Sequence, residues 1–232
     1  MNSDGFINLR IAKHKTILWL LAIIITLASA VYQRMTGPTY PVRGKVTIGD
    51  QKISYKLLRS EVTDRDAMVR LTVPDSSISG YLIYKRYRSN DQWLTMPLQR
   101  EKDLLTGYLP KQPAAGKIMY SVHLRRGTAD ISLTGARPIM LRFKGAVPDW
   151  VLIPHILIIF FAMLLSNRTA LEAMDPAGQS KKYMLWTIGF FLVGGLILGP
   201  AVQKFAFNAW WTGIPFGYDL TDNKTLIAML GW

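Results

Sequence analysis

Three apolar stretches constrain this chain more than anything else in it: residues 16–32, 150–166 and 183–202. Crossing the hydrocarbon core of a bilayer takes about 20 mostly apolar residues, and each stretch comes close to that or meets it. A fourth run, "TLIAMLGW" at residues 225–232, starts in the same way, but eight residues of helix rise only about 12 Å and cannot cross. It reads as the start of a fourth transmembrane helix in a truncated form of a longer protein, with a tail that dips into the interface as the alternative. The expectation is therefore a membrane α-helical protein with three complete transmembrane helices and a partial fourth. Residues 34–148 are too polar to join them.

Flanking charge sets the expected orientation. Arg10, Lys13 and Lys15 precede the first stretch, and Arg168, Lys181 and Lys182 lie between the second and third. The positive-inside rule puts both flanks in the cytoplasm. Residues 34–148 then fall outside although they hold 20 of the 28 basic residues, which the rule permits because it is read from short loops. The resulting division is a cytoplasmic N-terminus (1–15), helix 1 (16–33), an extracytoplasmic β-sandwich (40–145), helix 2 (149–167) and a cytoplasmic loop (168–182). Helix 3 (183–203), an extracytoplasmic aromatic loop (204–224) and the partial helix (225–232) follow. The small residues Ala28 and Ala30 also fit a cleavable signal peptide. A retained anchor is preferred because the apolar run reaches Tyr32.

The middle of the chain changes period. "KVTIGDQKISYKLL" reads as two strands about the Gly49-Asp50 turn, and "AMVRLTVPD" alternates apolar and polar residues as a half-buried strand does. In "KIMYSVHL" the residues Ile118, Tyr120, Val122 and Leu124 share the inward face. Seven or eight short strands in about 100 residues, punctuated by Gly, Pro, Asp and Asn, predict a sandwich.

Trp93, Met96-Pro97, "GYLPKQPAAG" at residues 107–116 and then Tyr120 form a succession that resembles the fibronectin type III and immunoglobulin-like modules of bacterial envelope proteins. The resemblance covers residues 67–143, and the whole chain resembles uncharacterised bacterial inner-membrane proteins. It implies that the Tyr120 hydroxyl bonds to the backbone of the preceding loop and locks a corner. It implies no activity.

Cysteine is absent, which excludes disulfides, thiolate metal sites and a catalytic thiol. The three histidines are His14, His123 and His155. His155 interrupts an apolar helix, and an ionisable residue at bilayer depth is a functional candidate by default. It lies only about 7.5 Å of helix rise from Trp150, an interface-preferring residue, so an interfacial or packing role is the first reading. A cofactor or proton role for His155 is the second. Gly195 and Gly199 form a G-x-x-x-G face suited to helix packing. Trp150, Trp210 and Trp211 are candidates for the membrane interface. Asp219, Asp222 and Asn223 offer oxygen atoms, but "DLTDN" lacks the ligand count and glycine of a calcium loop, and Asp222 reads as a helix cap.

Residues 34–148 carry 20 basic and 9 acidic side chains. Lys85, Arg86 and Arg88 form one dense patch and Arg125 with Arg126 another, both candidates for an anionic partner such as an envelope polymer or an acidic protein. Nucleic acid is not expected outside a cytoplasmic membrane. No catalytic motif is present, among them G-x-S-x-G and H-E-x-x-H. The expected role is a non-enzymatic interaction or scaffold subunit of a bacterial envelope complex, with no cofactor and no metal. Its partners would be membrane lipids and a membrane protein or a second copy of the chain. The alternatives are a redox or transport subunit using His155, and a sensor whose sandwich binds an envelope ligand.

Overall fold

The computed structural model describes residues 3–174 and 178–232, with side chains from His14 onward in the first helix. The chain divides into a helical unit, built from the segments up to Met35, Val147–Phe205 and Ala209–Trp232, and a β unit of Thr36–Ala146 with Ala206–Asn208.

In the helical unit α1 runs Ser3–Thr36, α2 Asp149–Ala173 and α3 Ser180–Phe191; a π-helical segment, Leu192–Leu198, then leads into α4, Gly199–Phe207. Three continuous helices, His14–Thr36, Asp149–Ala173 and Ser180–Phe207, are long and apolar enough to cross a membrane. The π segment has a cause in the sequence. Pro200 carries no N–H, so the carbonyl four residues upstream loses its usual donor and the chain widens before it. The N–H of Gly199 accordingly donates to the carbonyl of Gly194, five residues back.

The last helix, α5 (Leu220–Gly231), has 12 residues, about 18 Å of rise, too short to cross a bilayer core. Its N-cap is Asp219, whose carboxylate accepts from the N–H groups of Thr221 and Asp222. The expected cap, Asp222, is displaced from that role. It sits within the first turn and reaches out of the helix to accept the N–H of Thr212 at 2.7 Å.

Polarity in the helical unit is inverted relative to a water-soluble bundle. Ile24, Leu27, Leu157, Phe161, Leu185 and Ile197 are exposed, whereas Thr26, Arg168, Thr169, Glu172 and Thr187 are buried.

The β unit has eleven β segments. Strands β1 (Val42–Ile48) and β2 (Gln51–Leu57) form an antiparallel hairpin, and Gly49 in its turn takes φ +57°, which only glycine adopts without strain. A second sheet has the order β3 (Ser60–Val62), β11 (Ile139–Lys144), β9 (Lys117–Arg126), β5 (Ser79–Arg86), β6 (Leu94–Pro97), with β10 (Ala129–Ser132) also on β9. A third orders β4 (Ala67–Thr72), β8 (Leu104–Leu109) and β7 (Gln99–Glu101). All pairs are antiparallel except β3 with β11. Alternate residues of every long strand point into one apolar core, where Ile53, Leu71, Leu105, Leu82, Val122 and Phe143 from all three sheets meet.

Candidate functional site

The most distinctive cluster in the helical unit centres on Arg168. Flank charge places Arg168 in a short cytoplasmic loop, but α2 continues through Ala173 and carries Arg168 into the interior, where its side chain has no exposed surface. The reason is local: Glu172, one turn further along α2 and 2% exposed, forms an ion pair with it. The guanidinium carbon also lies 4.7 Å from the ring centre of Tyr183 on α3 and 5.5 Å from that of Trp19 on α1. Those two rings meet edge to face at 5.8 Å. Among the described residues Arg168 Nε and Nη2 find no hydrogen-bond acceptor, so the negative faces of the rings stand in for one.

Hydroxyl and amide contacts extend the cluster. Thr169 on α2 and Thr187 on α3 share a hydrogen bond at 3.1 Å; each hydroxyl has a single proton, so one donates to the other, which in turn donates to the carbonyl four residues back in its own helix, Leu165 for Thr169 or Tyr183 for Thr187. Asn167 donates to the Thr26 hydroxyl of α1 at 2.9 Å. Glu172 accepts the N–H of Gln179 ahead of α3, while residues 175–177, inside the expected loop, lie outside the described residues. One charged and polar knot therefore ties α1, α2 and α3. The sequence signal for it was the Arg168…Glu172 spacing of four, hidden because a basic residue after an apolar run also suits a helix end.

His155 occupies α2 opposite the π segment, where its Nδ1 donates to the carbonyl of Gly194 at 2.9 Å. That carbonyl already accepts the N–H of Gly199, so the histidine supplies its second bond. A β-carbon added to Gly194 would lie 2.8 Å from Ile158 of α2, and one on Gly195 2.6 Å from Thr225 of α5. Gly199 meets only ordinary contacts, at 3.6 Å or more. Close approach thus depends on Gly194 and Gly195; Gly199 of the expected pair does not make one.

In the aromatic loop Trp210 is exposed, and Trp211 donates from its indole to the carbonyl of Ile214. Gln203, Asp222 and Asn223 tie the loop down through Thr212 and the N–H of Ile214. Trp150 is exposed, with an edge-to-face contact to Phe205 at 6.2 Å.

On the β unit the two basic patches are kept apart. Register places Arg125 opposite Ser79 and Lys85 opposite Met119, so the patches occupy opposite ends of the β5–β9 pair, about 20 Å apart. Three of the five candidates are matched to acids: Arg86 to Asp91 through two bonds, Arg125 to Asp130, and Arg126 to Asp75 at 3.5 Å. Lys85 lies over the Trp93 ring and Arg88 over the Tyr87 ring.

Asp130 is the hub of one patch. It accepts from Tyr81 at 2.6 Å and from Arg125 at 2.9 Å, and it bonds His123, whose ring stacks on Tyr81. The Tyr81 hydroxyl, followed by the Arg125 guanidinium, holds the Asp130 carboxyl down at about 2, and the same carboxylate pushes the Tyr81 phenol up. Tyr120 is fully buried, and its hydroxyl donates across 62 residues to the carbonyl of Leu58 at 2.7 Å. The bond to the preceding loop implied by the family resemblance is replaced, because the chain entering β3 lies against Tyr120 and offers it a carbonyl.

Among the described residues no group of three or more His, Asp or Glu side chains is placed to hold a metal ion. No family model, curated protein or solved structure matches the chain.

Proposed function

We propose that this chain is a membrane-anchored, non-enzymatic interaction or scaffold subunit of a bacterial envelope complex. Its three long helices lie in the cytoplasmic membrane with the N-terminus inside, and its β unit is an extracytoplasmic module of the immunoglobulin or fibronectin type III kind. The observation that carries the membrane part is the inverted polarity of the helical unit, with apolar side chains outside and the Arg168 knot inside. In water such a surface would aggregate. In lipid it is the expected solvent-facing surface, and buried polar groups supply the interhelical contacts that apolar surfaces alone do not favour there.

Strand order supports the module: β4 and β8 lie in one sheet, while β11, β9, β5 and β6 lie in another over a shared core, as the two sheets of those modules do. The exposed Trp150 and Trp210 suit headgroup level. Lys85, Arg88 and the partly matched arginines would meet an anionic partner, either an envelope polymer or an acidic protein. Crosslinking in native membranes followed by detergent extraction tests the assembly. One or more reproducible heavier bands are expected, and extraction of the chain by carbonate alone would end the membrane reading.

A redox or transport role is the second reading. By donating Nδ1–H to Gly194, His155 keeps its lone pair on Nε2, the arrangement a ligating histidine uses. A Soret band in purified protein, lost in His155→Ala, would put this reading ahead of the first.

A further inference from the structure

An open sheet edge and two arginines with no acidic partner among the described residues meet on the β unit. Arg59 lies between β2 and β3, and Arg137 lies just before β11. Both line a cavity of about 400 Å³, with Val42, Tyr55, Leu133 and Met140 among its other walls and no acid among its lining residues. That volume and its mostly apolar walls are those of a site that holds a small ligand or a chain end.

The cavity has an edge to pair with. Strand β11 is bonded to β9 over Ile139–Arg142 but to β3 only over Arg142–Lys144, so Ile139–Leu141 have a strand neighbour on one side alone. On the β3 side the Arg142 N–H donates to the carbonyl of Arg59 at 3.0 Å. Backbone groups alternate in direction along a strand, so the N–H and C=O of Met140 point to that same side, where Met140 lines the cavity.

A segment added there could run either way along β11; run parallel, it would continue the line of β3 upstream. It could not continue past Arg59, because the chain of Leu58 and Arg59 fills the next position. A parallel strand therefore ends at that point carboxyl terminus first, and Arg59 and Arg137, with no acid among the lining residues, select that direction over an antiparallel strand, which would bring a cationic amino terminus there. We propose that this cavity binds the C-terminal end of an extended peptide. Its backbone is added to Met140, its last apolar side chain lies in the cavity, and its carboxylate is held by Arg59 and Arg137. The inference rests on the interaction reading of the β unit and gives its partner a chemical class.

Fluorescein-labelled hexapeptide pools ending in Val, Leu, Ile or Phe, with either a free carboxylate or a C-terminal amide, are titrated into the detergent-solubilised full chain and followed by anisotropy. The free acids should bind at least about tenfold more tightly than the amides, the loss expected for one charge-assisted contact. Arg137→Glu should remove that difference, whereas Lys52→Glu, the same charge change at an exposed position of β2, should preserve it; matching melting curves show that both variants fold. Equal binding of acids and amides, or no binding of either at millimolar peptide, overturns the proposal. Displacement by decanoate as effective as by the acid peptides also overturns it, since only a carboxylate on an alkyl chain would then be read. Failure here leaves the assembly reading intact, because a partner held through another face would still crosslink.

Discussion

Arg168 and Glu172 stand one turn apart on α2 and pair with each other where neither side chain reaches solvent. Two charges so enclosed are held by each other and by the rings of Trp19 and Tyr183. Removing Glu172 leaves the buried guanidinium without its carboxylate, which is the expensive case. Glu172→Leu should destabilise the helical unit by about 3–5 kcal/mol. The double variant Arg168→Leu with Glu172→Leu should recover most of that loss. Thermal unfolding of the detergent-solubilised chain reads both. A single variant that melts with the parent would mean that the pair contributes nothing to helix register.

Glycine at the π segment gives a graded test. In Gly194→Ala the new methyl must displace Ile158 at 2.8 Å and Ile159 at 3.2 Å, an overpacking expected to cost about 1–3 kcal/mol. Gly199→Ala meets only ordinary contacts in a helical backbone, and the lower chain entropy should leave stability level or raise it by about 0.5–1 kcal/mol. The order of the two melting temperatures decides the matter. If Gly199→Ala proved the more damaging, the close approach would lie at the G-x-x-x-G face after all.

The Asp130 hub predicts an acid dependence with a defined sign. Its carboxyl is held down at about 2 in the fold, against an ordinary 3.8. A lowered carboxylate stabilises the fold above its unfolded value and loses that contribution as pH falls through its folded one. The contacts of Asp130 with Tyr81, Arg125 and His123 therefore act fully above about pH 4 and fade towards pH 2. Asp130→Asn should lower the melting temperature at pH 6 and show a shallower fall than the parent between pH 4 and pH 2. Parallel curves for the two proteins would remove Asp130 from the acid response.

Legibility followed periodicity. The three apolar runs and the alternating strands could be read because each repeats a local rule along its own segment: the bilayer length for helices, period two for strands. What escaped depends on partners far away in the sequence. Arg168 looked like an ordinary helix-end charge, since nothing near it announces Trp19 or Tyr183. The pairing of Arg86 with Asp91 was within local reach, yet whether a surface arginine folds back on a nearby acid or stays open to a partner is a matter of turn geometry. The π segment had a visible cause in Pro200, but its consequence, the shift of close contact from Gly199 to Gly194, appears only when α2 is laid against it.

Tyr120 connects the core to the chain entering β3, and the strength of that link can be measured. The buried hydroxyl donates to the carbonyl of Leu58, and burial pushes the phenol above its ordinary value, so it remains a donor across the working pH range. Tyr120→Phe keeps the ring and its packing but removes the donor, and should cost about 0.5–1.5 kcal/mol, more if the Leu58 carbonyl finds no replacement. The local effect is the sharper test. Arg59 follows Leu58 and its carbonyl accepts the N–H of Arg142, so loosening the chain there should speed hydrogen exchange at Arg142, while Ser121 in the middle of β9, paired with Ile83 of β5, stays protected. Equal acceleration at both amides would show that the hydroxyl supports the whole core and does not specifically hold the entry to β3.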